Sequence, residues 1–190
     1  AVPGIFNKLD GWSSHSYPNP NFAGQPTASG KMTIRGYQEE IKKLQSLGVI
    51  KELPIFITET GWKHAEGKKY NSSFPSSEKV GEYYQNAFQN AWNNSQIVAV
   101  TPFILDYQDS PFDNFSFKKI LSEINKAPDP SSESAKFYSA FYTLKNLPKN
   151  EGKPIQINSA KLQKGGLTTA SFTSEIDATQ SGITTTLVAN

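Results

Sequence analysis

Apolar positions in the first 150 residues fall into two alternating patterns. Short runs with strand character lie at Leu9 to His15, Pro54 to Thr58 and Ile97 to Phe103. The middle run, Pro54-Ile-Phe-Ile-Thr58, is continuous and β-branched, as expected of a strand buried on both faces. Between the runs, apolar residues recur at helical spacing. Ile34, Tyr37, Ile41, Leu44 and Leu47 form one series, with Thr33 as a candidate cap and Gly48 as a stop. Val80, Tyr83, Tyr84, Ala87, Phe88, Ala91 and Trp92 form a second, starting near Ser76 or Ser77. A third helix is expected over Ser134 to Leu147, with Phe137, Tyr138, Phe141, Tyr142 and Leu144 facing inward, and a short one near Lys119 to Asn125.

Strand and helix in strict alternation predict βαβ units and a parallel sheet. The segments leading into strands are short, and those leaving strands are long. In parallel sheets the loops after the strand C-termini build active sites. After Pro148 the texture changes. Residues 149–190 are rich in Gly, Ser, Thr and Lys, with strand candidates at Pro154 to Ile157, Leu167 to Phe172 and Ile183 to Val188. The expected organisation is therefore residues 1–148 as one α/β unit and 149–190 as a linker or the start of a β-rich accessory domain.

Composition narrows the function classes. The formal net charge is +2 and the lysines are scattered, so no basic stripe suggests nucleic acid. No stretch approaches the roughly 20 apolar residues that cross a bilayer. The chain has no Cys and two His, His15 and His64, which excludes disulfides, thiolate metal sites and His-rich metal sites. No cofactor or metal is expected. Phosphate-binding glycine loops, zinc-protease and nucleophile-elbow motifs do not occur.

Glu59 carries the sharpest chemical signal. It stands at the end of the most apolar strand, followed by Thr60-Gly61-Trp62. A carboxylate fixed there projects into the loop side of the sheet, Gly61 permits a tight departure, and Trp62 offers a flat face. Glycoside hydrolysis needs a fixed carboxylate against the charge developing at the anomeric carbon, with aromatic platforms for sugar faces. His15 and Tyr17 end the preceding strand; a Tyr hydroxyl can orient a carboxylate and a His can bond a sugar hydroxyl. After the third strand Tyr107 is a candidate platform, whereas Asp106 and Asp109 read as turn residues. Trp12 reads as core, and His64 as a solvent-facing loop residue.

Three motifs together resemble the glycoside hydrolases of clan A. LPIFITETGW resembles their seventh strand, which ends in the nucleophilic Glu. DGWSSHSYP looks like the sixth and VAVTPFILDYQDSPF like the eighth, while SAKFYSAFYTLKNL resembles the closing helix. The resemblance covers roughly residues 5–147. It implies a partial (β/α)8 TIM barrel comprising the C-terminal strands and helices, whose missing N-terminal half would hold the acid/base. It also implies a retaining β-glycosidase acting on a poly- or oligosaccharide; the compartment is left open, a secreted or cell-surface parent protein being compatible with it. Glu59 is then the nucleophile, and His15, Tyr17, Trp62 and Tyr107 bind substrate. The family's Asn-Glu acid/base pair does not occur here, and Phe103 and Tyr107 stand where the clan often carries Trp. A non-catalytic carbohydrate-binding protein derived from a barrel is the alternative expectation.

Overall fold

In a computed structural model, the described residues are Val2 and 4–148. They form a three-stranded parallel sheet in the order β1-β2-β3, with β1 at Trp12–Ser14, β2 at Ile55–Thr60 and β3 at Ile97–Pro102. The register sets Ser13 beside Phe56 and Phe56 beside Ala99, with irregularities on either side of Phe56 and Ile57 along β3. Five α-helices follow the chain: α1 (Gly36–Ser46), α2 (Ser77–Asn86), α3 (Leu121–Ile124), α4 (Glu133–Lys136) and α5 (Ser139–Asn146). The strand candidates beyond Pro148 lie outside the described residues.

The helix ends follow their local chemistry. Gly48, at φ 84°, lets Gly48 N–H reach Gln45 O and Val49 N–H reach Leu44 O, the paired bonds that close a helix on a left-handed residue. The Ser76 hydroxyl accepts the Lys79 N–H and caps α2. Thr33 bends the chain one turn early: its Oγ1 bonds Gly30 O and accepts Arg35 N–H, and α1 begins only at Gly36. The third expected helix is broken into α4 and α5. Phe137 is extended and bridges antiparallel to Lys118, and Tyr138 N–H bonds Phe117 O at 2.8 Å. Those polar groups are taken by the incoming 117–119 backbone, so the helix cannot run through them.

The core lies on one side of the sheet. Ile55 and Ile57 of β2 meet Ile34, Tyr37, Val80, Tyr84, Ala87 and Ala140 from α1, α2, α5 and their flanks. The opposite face carries exposed Ser13, Thr58, Ala99 and Thr101. A strand buried on both faces, as expected for 54–58, is therefore not what β2 is. The expectation of a partial (β/α)8 barrel is overturned as well. Three strands with one bare face are far too little for a barrel, whose closure requires eight tilted strands in fixed stagger. The alternation of strand and helix marks any parallel α/β unit; it does not count the strands.

Ile57 is fully buried at the centre of this core. Ile57→Ala should cost about 2–5 kcal/mol, the range for large-to-small core truncation. Urea unfolding should show a lower midpoint with an unchanged slope.

Candidate functional site

The C-terminal ends of β1 and β2 are laced together. The Ser13 and Thr58 hydroxyls lie 2.7 Å apart, the Thr60 hydroxyl donates to Ser16 O at 2.7 Å, and Ser16 Oγ accepts the Tyr37 N–H at 2.8 Å. This lacing sets two strand-end side chains against Glu59. The Tyr17 hydroxyl donates to Glu59 Oε2 at 3.2 Å, and His15 Nδ1 lies 3.5 Å from the same oxygen. Glu59 is half-exposed, so its carboxylate faces the solvent side of the strand ends. Both contacts fall on Oε2, which leaves Oε1 as the oxygen not engaged by described residues. Burial, then the Glu59 charge and the hydrogen bond to it, push the Tyr17 phenol above its ordinary pKa. Tyr17 therefore stays protonated at neutral pH and donates to the carboxylate.

Rings extend from this cluster. Tyr17 packs edge-on against Phe22 and Phe115, Phe115 against Phe103, and Phe103 against Phe112, which also meets Phe115 at 6.5 Å and Tyr107 at 5.5 Å. Tyr107 is thus at the outer end of a ring chain rather than beside Glu59. It and Phe112 are partly exposed, 37% and 40%. Phe22, Phe112 and Phe115 were not singled out from the sequence. The spacing of Phe112, Phe115 and Phe117 in PFDNFSF was the signal available. Asp106 and Asp109 are paired with Lys118 and Lys68, consistent with roles in fixing the loop.

Two loop residues are corrected. Trp62 is 1% exposed and offers no face to a substrate. Its indole lies in the core against Tyr83, Tyr84 and Trp92, and its N–H donates to Gly24 O at 2.7 Å. Gly61 lets the chain make that descent: a Cβ there would meet Phe103 O at 2.7 Å. His64, expected in solvent, is 2% exposed beneath the loop after β3. Its Nε2 faces Ser116 O at 2.9 Å and must donate to it, while Nδ1 lies 3.3 Å from Glu66 Oε2 without hydrogen-bond alignment. Trp12, read as core, is half-buried, and its N–H donates to Glu40 at 2.8 Å.

Comparison with protein-family models, curated proteins and solved structures gives no match to this chain. The resemblance to clan A thus rests on the strand-end motifs.

Burial pushes the Glu66 carboxyl up, but His64 and the backbone N–H groups of Glu66 and Ser77 outweigh it, leaving the pKa below the ordinary value of 4.5. A carboxyl with a depressed folded-state pKa adds stability above its unfolded pKa, and that stability is lost as pH falls through the folded value. Chemical denaturation from pH 6 downward should therefore show stability falling below about pH 4.5. Glu66→Gln should flatten that fall while lowering stability at pH 6.

Proposed function

We propose that Glu59 is the nucleophilic carboxylate of a retaining glycosidase acting on a β-linked poly- or oligosaccharide. The observation that carries this reading is the convergence of His15 and Tyr17 on one oxygen of a strand-end carboxylate, with the other oxygen left open. In the first step an oxygen of Glu59 attacks the anomeric carbon and the glycosidic C–O bond breaks. The leaving oxygen takes a proton from an acid group about 5–5.5 Å from the nucleophile. The same group, as base, then activates the water that releases the sugar. That second carboxyl is to be supplied from outside the described residues. Tyr17 holds Oε2 and keeps the carboxylate oriented, and His15 is within reach of a sugar hydroxyl. Tyr107 and Phe112 provide apolar faces at the rim for further sugar units.

A second reading is carbohydrate binding without cleavage. It is supported by the partly exposed rings of Tyr107 and Phe112, which would serve a sugar with or without bond cleavage.

The two readings separate with 2,4-dinitrophenyl 2-deoxy-2-fluoro-β-glycosides. Dinitrophenolate leaves without a proton, so the nucleophile alone suffices to form the glycosyl-enzyme. Across gluco, galacto, manno and xylo donors, one should label the peptide containing Ile57-Thr58-Glu59, as read by mass spectrometry. Glu59→Gln should abolish the label, and Tyr17→Phe should slow its formation about tenfold or more, equivalent to roughly 1.4 kcal/mol of barrier. Label on another residue, or none with any donor, overturns the nucleophile assignment.

A further inference from the structure

Lys63 follows the buried Trp62 and has no part in the reaction proposed above. Its Nζ lies 5.4 Å from the ring centre of Phe22, 5.5 Å from that of Phe74 and 5.6 Å from that of Phe115. These are separations at which a cation is attracted to an aromatic face. The rings come from three loops: Phe22 from the segment after β1, Phe74 from that after β2, Phe115 from that after β3. The Lys63 N–H also donates to Phe22 O at 2.9 Å. None of the ion pairs among the described residues involves its ammonium, so the rings set its position.

Two of the three rings are the ones that hold Tyr17. Phe22 meets the Tyr17 ring at 5.2 Å and Phe115 meets it at 6.2 Å, both edge-on, and the two phenylalanines meet each other at 5.4 Å. The Tyr17 bond to Glu59 Oε2, at 3.2 Å, is longer than the roughly 2.5–2.7 Å of a tight hydroxyl–carboxylate bond. A bond of that length is sensitive to small displacements of the ring that carries it.

We propose that Lys63 is a positioning residue: its ammonium clamps Phe22 and Phe115 around Tyr17 and so keeps the Tyr17 hydroxyl on Glu59. The clamp concerns Tyr17 itself. Only its consequence for catalysis rests on Glu59 being a nucleophile. Phe74 is the informative member, because its ring faces the Lys63 cation from the loop after β2.

The test measures exchange of the Tyr17 hydroxyl proton with solvent in the full 190-residue chain. The readout is the deuterium isotope shift on the Tyr17 ring carbon that bears oxygen, with thermal unfolding followed in parallel. Lys63→Met keeps the apolar stem and removes the charge, and should speed exchange several-fold. Phe74→Leu should act in the same direction to a smaller extent. Lys63→Arg, which keeps a cation over the rings, should restore a near-normal rate. Unchanged exchange in both Lys63→Met and Phe74→Leu overturns the proposal; should Lys63→Met not fold, Phe74→Leu decides alone. Equal acceleration at the Tyr37 and Tyr84 hydroxyls, both deep in the core, would signal general loosening and also overturns it. Where the fluoroglycoside labels Glu59, Lys63→Met should lower the labelling rate constant without changing reagent affinity, and should add nothing in a Tyr17→Phe background. An equal loss in both backgrounds would mean that Lys63 acts directly by charge, and rejects the route through Tyr17. If no label forms, the nucleophile assignment fails while hydroxyl exchange still decides the role of Lys63.

Discussion

A buried indole must give its N–H to an acceptor, and the arrangement of the strand-end loops depends on where Trp62 finds one. The ring fills the core between α2 and β2, against Tyr83, Tyr84 and Trp92. Its N–H takes Gly24 O and thereby draws the long segment after β1 down onto the end of β2. The adjacent Lys63 N–H repeats the tie at Phe22 O. Those two bonds hold Phe22 against Tyr17, whose hydroxyl reaches Glu59. A residue that resembled a substrate platform thus acts from below, as the floor on which the site is assembled.

A second tie runs between the loops after β2 and β3. His64 N–H bonds Asn114 O, the Asn114 side chain returns to the carbonyls of His64 and Glu66, and the Lys68 N–H takes a carboxylate oxygen of Asp113. Phe115 sits in the middle of this lattice and reaches Tyr17. The two sets of ties meet at the same tyrosine, so the carboxylate is oriented by loops that are each fixed independently of it.

Most of the regular structure was legible because periodicity reports burial. Ile34, Tyr37 and Leu44 do face the core, as do Val80, Tyr84 and Ala87. Glu59 and Tyr17 were legible because strand ends in a parallel sheet share one side. What failed depended on contacts distant in sequence. Whether Trp62 and His64 reach water is decided by residues near 24 and 114–116, and their own polar neighbourhood contains no trace of it. The break at Phe137 depends on the 117–119 backbone in the same way. The barrel expectation failed for a different reason: motif resemblance and alternation describe neighbours, whereas closure is a property of the whole sheet.

The end of α2 passes into a single π-helical turn, Ala87–Ala91, in which Trp92 N–H bonds Ala87 O. The wider turn brings both Ala91 and Trp92 to the buried side. There the Tyr37 hydroxyl donates to Ala91 O at 2.7 Å and the Trp92 indole N–H donates to Ile34 O at 3.3 Å, joining the end of α2 to the start of α1. Each of these bonds uses a side-chain donor and a main-chain acceptor. As hydrogen-bonding partners, positions 34 and 91 can be filled by any residue whose size fits, since every residue offers a carbonyl. Positions 37 and 92 have no such freedom. Across a divergent set of sequences sharing this fold, variation should therefore be lopsided, with the two aromatic donors held and their acceptor positions drifting among small and aliphatic residues.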